Sequence, residues 1–256
     1  MPQNVAPFEF SDAAKQLRQF VYEFWCEHGR GPNLRAAHEG TGLDRRTIIQ
    51  SYKELQLGII CVVDQDSQNC NVLKFQPFSS FPSQVEVWID DRFHSYAGCA
   101  LESVAISRMP PFENRHVTLK SYCACCLAPI DLDASNGVVT PRTSALVHIS
   151  TTPWDWNNND IVHQCDSMNF VVDEQHAERY ERIVSRRGVR LTIEQTALFV
   201  KATADDRMWN YDWPAATIDP KAVVFGMKQL GVDVSAWTGE RSPVPPVPPA
   251  VARTGP

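Results

Sequence analysis

The chain has 256 residues, 43% of them hydrophobic, and a formal net charge of −6. That is enough apolar material to bury a core of its own, and the acidic balance argues against a protein whose main task is to coat nucleic acid or an anionic membrane. No run of about 18 apolar residues occurs, and "MPQNVAPFEFSDAAKQ" lacks the basic-then-apolar layout of a secretory signal; the expected location is the cytoplasm, where eight cysteines fit free thiols, metal ligands or nucleophiles better than a disulfide framework.

Ser11 is suited to cap a helix, and Leu17, Phe20, Val21, Phe24 and Trp25 recur at helical spacing until Gly29 and Gly31 break the pattern. The spacing predicts a helix over about residues 12–28. "PNLRAAHEGTGLDRRTIIQSYKELQLGII" then reads as a short helix, a turn at Gly40 to Gly42, and a second helix capped by Asp44 and stopped at Gly58. "IICVVDQDSQNCNVLKF" follows as two β-rich runs around a polar turn, a hairpin or wing. Residues 1–76 are therefore expected to form a winged-helix-like unit. A DNA-binding use would place Arg45, Arg46 and Lys53 on the recognition helix. Those three, with Arg30 and Arg35, face Glu39, Asp44 and Glu54, a weak excess for gripping phosphates, so nucleic acid is not the expected partner and a scaffold role is the simpler reading.

"FQPFSSFPSQ" reads as a Pro/Ser-rich linker into a second domain over 82–200. "QVEVWIDDRFHSYA" alternates like a strand pair turned at Asp90 and Asp91, and "HVTLKSYC", "APIDLDA", "GVVTPRTSALVHIS" and "MNFVVD" are further strands. "DEQHAERYERIVSRRG" and "TIEQTALFVKATADDR" have helical composition. The expected fold class is α+β, a winged-helix-like unit followed by a mixed α/β domain. Residues 201–240 form an appended helical or irregular segment, whose Trp209, Tyr211 and Trp213 either cover an apolar cleft or, more simply, pack that segment. The tail over 241–256, "SPVPPVPPAVARTGP", is Pro-rich and expected to be disordered.

The chemistry centres on "SYAGCALESVAIS", where Cys99 and Glu102 lie three positions apart at the expected start of a helix. A thiol there meets free backbone N–H groups that favour the thiolate, and a protonated carboxyl beside it could deliver a proton to a leaving group. The plainer reading is a buried Cys followed by an exposed Glu on an amphipathic helix. Cys26 sits among core aromatics and reads as packing, Cys61 and Cys70 lie on the two runs of the hairpin, and Cys123, Cys125 and Cys126 make a C-x-C-C array suited to soft metals but short of a zinc-ribbon pattern. "VHQCDSMNF" puts Cys165 just before a strand, with His163 two residues earlier as an ordinary surface histidine.

"VEVWIDDRFHSYAGCALESVAI", "KSYCACCLAPIDL" and "HQCDSMNFVV", in this order and behind a winged-helix-like unit, resemble the organomercurial (alkylmercury) lyases over about residues 12–200. The resemblance implies carbon–mercury bond cleavage by two cysteines and an acid, here Cys99, Cys165 and Glu102, with Cys123 matching a cysteine taken as structural. Glu102 stands where the family has Asp, so its carboxyl reaches one methylene further. The resemblance further implies no required cofactor, Hg(II) held as product on Cys99 and Cys165, and small thiols or a mercuric reductase as recipients of the metal. Cys125 and Cys126 depart from the family's pattern as extra thiols beside Cys123, and they either relay Hg(II) or have no role. Two alternatives stay open. One is a repurposed relative that binds copper or zinc or cleaves another carbon–heteroatom bond; the other is a thiol-based metal-responsive regulator acting on DNA.

Overall fold

A computed structural model describes residues 8–64, 70–135, 138–141, 144–156, 161–209 and 219–239, with the side chains at 141, 161–163 and 202–209 outside that description. Tyr211, Trp213 and the Pro-rich tail lie outside the described residues, as do the side chains of Trp209 and His163.

Three helices open the fold: α1 (Asp12–His28), α2 (Leu34–Thr41) and α3 (Arg45–Leu57). The Ser11 hydroxyl accepts from the Ala14 N–H at the start of α1, and Gly29, at φ 67°, closes it with its N–H on the Trp25 carbonyl. Gly29 is needed twice over, because a Cβ there would sit 2.0 Å from the His94 carbonyl oxygen. Asp44 caps α3 through the Arg46 and Thr47 N–H groups. The buried face of α1, with Leu17, Val21, Tyr22 and Trp25, packs on α3 and α2.

The strands β1 (Cys61–Val63), β2 (Val72–Phe75), β3 (Phe78–Ser79), β4 (Glu86–Ile89) and β5 (Arg92–Ala97) come next. After the helix α4 (Ala100–Ile106) follow β6 (Val117–Tyr122), β7 (Pro129–Ser135) and β8 (Val138–Pro141). These eight strands make one sheet in the order β1-β2-β3-β5-β4-β6-β7-β8, with antiparallel neighbours throughout. The β4–β5 hairpin turns at Asp90 and Asp91, both at positive φ (49° and 64°), the conformation a two-residue hairpin demands and Asp tolerates.

The expected linker is therefore corrected. Its first residue ends β2 and, after a turn at Gln76 and Pro77, Phe78 and Ser79 form β3, with both Phe75 and Phe78 in the core: Phe78 stacks on Trp25 at 5.5 Å and Phe75 meets Tyr22 edge-on at 4.9 Å. The hairpin β1–β2 thus continues into the sheet that carries the rest of the chain.

A second, three-stranded antiparallel sheet, in the order β10-β9-β11, is built from β9 (Leu146–Ile149), β10 (Met168–Val171) and β11 (Val189–Thr192). The helices α5 (Ile161–Asp166), α6 (Glu174–Val184), α7 (Ile193–Trp209), α8 (Pro220–Gln229) and α9 (Ser235–Thr238) complete the described chain. The helix α7 runs across the boundary expected at 200/201 and packs against α4, and Trp237 of α9 meets Trp156 edge-on at 5.9 Å. The segment after residue 200 is thus docked on the core. Among the described residues no helix is long and apolar enough to cross a membrane.

Candidate active site

Between β5 and α4 the chain turns through Gly98 and Cys99. All seven residues of α4 are buried, so this short helix lies inside the protein. The amphipathic reading of α4 fails for that reason: Glu102 is 7% exposed. A buried carboxyl calls for partners of matching chemistry, and it has them. Cys165, in the last turn of α5, donates its thiol hydrogen to Glu102 Oε2 at 3.4 Å. The Glu102 N–H in turn donates to Cys99 Sγ at 3.4 Å, so Cys99 caps α4 with its sulfur.

The ligand atoms of Cys99, Glu102 and Cys165 all lie within 4.8 Å of one another, and all three residues are buried. Sixty-three positions of sequence separate Glu102 from Cys165; packing of α4 on β10, with α5 leading into β10, brings them together. Met168, the first residue of β10, adds a thioether 3.9 Å from Cys99 Sγ, so sulfur lines this side of the site.

The two thiols are not equivalent. Hydrogen bonding with Cys99, then burial, then the negative charge of Glu102 push the Cys165 thiol well above the ordinary range, while the positive charge of Lys74 pulls the other way. Cys165 therefore rests as a protonated thiol facing a carboxylate oxygen, a donor–acceptor pair along which a proton can move. Cys99 instead accepts the Glu102 N–H on its sulfur and lies against the Met168 thioether.

The remaining cysteines are placed elsewhere. Cys123 is fully buried at the end of β6, where its N–H and C=O close a turn onto Ala128 and Leu127. Cys125 is half-buried and Cys126 exposed. Among the described residues these three form no cluster of ligand atoms of the kind seen at Cys99, Glu102 and Cys165. Cys61 and Cys70 are free thiols. Cys26 packs against the core, and burial followed by the nearby charge of Glu23 pushes its thiol up to about 12.

Two site features escape the sequence reading. Gly98 is the residue over which the Glu102 carboxyl lies, since a Cβ there would meet Oε2 at 1.9 Å and Cys165 Sγ at 3.5 Å. Its place directly before Cys99 was a usable signal. Lys74, 3% exposed, reaches in from β2; nothing in "VLKF" distinguishes it from a wing residue.

Residues 78–204 match the family model described as alkylmercury lyase. Among solved structures, the chain is similar to the mercury-bound form of MerB2, with 19% identity, a TM-score of 0.60, and coverage of 75% of this chain and 89% of that one. At that identity the likeness concerns the fold. No curated protein matches the chain.

Proposed function

Residues 78–204 of this chain belong to the alkylmercury lyase family, and from that premise we propose that the protein cleaves carbon–mercury bonds by protonolysis, yielding a hydrocarbon and Hg(II). The observation that carries the reading is the grouping of two thiols and one carboxyl within 4.8 Å in a buried site. Mercury is a soft cation and thiolates are its preferred ligands. A second sulfur raises its coordination and pushes electron density onto the bonded carbon, and a proton must then arrive at that carbon at close range.

In this reading Cys99 takes up the organomercurial cation first, releasing its proton. Cys165 then passes its thiol proton to Glu102 and its sulfur binds the same metal. Glu102 delivers that proton to the carbon as the carbon–mercury bond breaks. The sum is balanced: RHg⁺ and two thiols give RH, a mercury bis-thiolate and one proton. Small thiols exchange the Hg(II) off the two sulfurs. Glu in place of the family's Asp is accommodated by the open space over Gly98, which lets the longer side chain fold back toward Cys165.

We read the three helices and the β1–β2 hairpin as a winged-helix-like scaffold whose strand β2 supplies part of the wall of the site. The test is incubation of the purified chain with phenylmercury or methylmercury and excess small thiol, with benzene or methane followed by gas chromatography. Enzyme-dependent hydrocarbon that vanishes in Cys99→Ser supports the lyase. No hydrocarbon, with copper or zinc bound to the purified protein, would instead favour a resident metal on the same sulfur and oxygen donors.

A further inference from the structure

Lys74 belongs to none of the steps above, yet it is an ammonium buried to 3% exposure on β2. A charge taken that far out of water is costly unless it is paired. Two polar partners among the described residues are informative. Nζ donates to the Gly98 carbonyl at 3.4 Å and lies 3.9 Å from the Asp166 carboxylate. Gly98 directly precedes Cys99 and Asp166 directly follows Cys165. One ammonium thus touches both segments that present the thiols, and it comes from a third element far from either in sequence. Asp166 itself is 72% exposed, so this arm of the clasp sits at the rim of the site. The Phe81 ring, 5.8 Å from Nζ, flanks the cation there.

We propose that Lys74 is a positioning residue that clasps the Cys99 and Cys165 segments together, holding the two sulfurs at the separation at which they share one mercury. A compact ammonium with three donors suits this task, because it can satisfy a carbonyl and a carboxylate in different directions at once. Methionine fills the same space with neither bond, and arginine keeps the charge in a longer, planar head. The inference rests on the lyase reading for its purpose, and its consequence is specific. Losing the clasp leaves the first thiol free to capture the organomercurial but misplaces the second, so turnover falls more than capture does.

The experiment compares the full-length wild type with Lys74→Met, Lys74→Arg and Asp166→Asn. Phenylmercury KM and kcat are measured by benzene release, Hg(II) retention by the ultraviolet mercury–thiolate band under glutathione competition, and folding by thermal melting. Lys74→Met is expected to lower kcat by about 100-fold with KM changed by no more than about threefold. It should also give up Hg(II) at about tenfold lower glutathione. Lys74→Arg should recover at least about tenfold of the lost kcat, and Asp166→Asn, which opens only the outer arm, should fall between wild type and Lys74→Met. Wild-type kcat and Hg(II) retention in Lys74→Met would overturn the inference. So would unaltered Asp166→Asn together with a Lys74→Met chain that has lost its fold, since the lysine would then be a packing residue. The Hg(II) readout decides the matter even if the wild type releases no benzene, an outcome that would overturn the lyase reading alone.

Discussion

A methyl group on Gly98 would lie 1.9 Å from Oε2 of Glu102, so the acid occupies the space that the missing side chain leaves open. The atom in the way is the far end of a side chain, which can swing aside, and not a backbone atom, which cannot. Gly98→Ala should therefore leave the fold nearly intact and displace the carboxyl from Cys165. The expected result is a thermal midpoint within a few degrees of wild type, near-normal capture of phenylmercury, and a single-turnover benzene release slowed by about 100-fold. A rate equal to wild type would show that the carboxyl works from another position.

The two thiols and the acid should fail differently. Cys99→Ser and Cys165→Ser are expected to abolish turnover, because an alcohol is a poor ligand for a soft metal. Cys26→Ser, at a thiol that burial keeps protonated and that lies outside the site, should retain it. Glu102→Gln is expected to bind organomercurial but release no hydrocarbon in a single turnover, since a neutral amide cannot take up the Cys165 proton and pass it to the carbon. Unchanged release by Glu102→Gln would remove the carboxyl from the mechanism, and equal loss in all three cysteine variants would mean misfolding.

How much of this was legible in the sequence depends on how local each cause is. The ends of α1 and α3 follow from Ser11, Gly29, Asp44 and Gly58, whose capping acts within a few residues, and the β4–β5 turn from Asp90–Asp91. The segments bearing Cys99 and Cys165 were visible one by one, while their approach depends on α4 packing against β10, which no local pattern encodes. The burial of Glu102 was hidden because a polar residue three positions into a helix ordinarily faces water. The strand β3 was hidden by Pro77 and its serine neighbours, although Phe75 and Phe78 carry the core. Lys74 could not be read at all, since its meaning lies in two partners on other elements.

The continuity of the eight-stranded sheet through β3 makes a mechanical claim. Phe78 is fully buried and stacked on Trp25 of α1 at 5.5 Å, so it joins the opening helices to the sheet. Phe78→Ala should cost about 3–5 kcal/mol, the usual range for emptying an aromatic site in a core. Denaturant unfolding followed by Trp fluorescence and by far-ultraviolet circular dichroism should give one coincident transition in the wild type. Two separated transitions in the wild type would mean that the opening helices fold as a unit of their own.

Glu181 sets the acid side of stability. Its carboxylate, 1% exposed beneath the three-stranded sheet, is paired with Arg187 and Arg190 and accepts from the Gly188 N–H and the His148 ring. Burial pushes its pKa upward, but the hydrogen bonds from His148 and Gly188 and the charge of Arg190 outweigh that and hold it at about 2. The unfolded chain returns it to about 4.3. Because the folded value is the lower one, the carboxylate's contribution is fully present above about pH 5 and is lost as pH falls toward 2. Glu181→Gln should thus be less stable than wild type by on the order of 2 kcal/mol at pH 7. That difference should shrink steadily between pH 5 and pH 2.5 in urea unfolding, as the wild type's carboxylate takes up its proton. A gap that stayed constant over this range would mean that Glu181 acts through packing and hydrogen bonding alone.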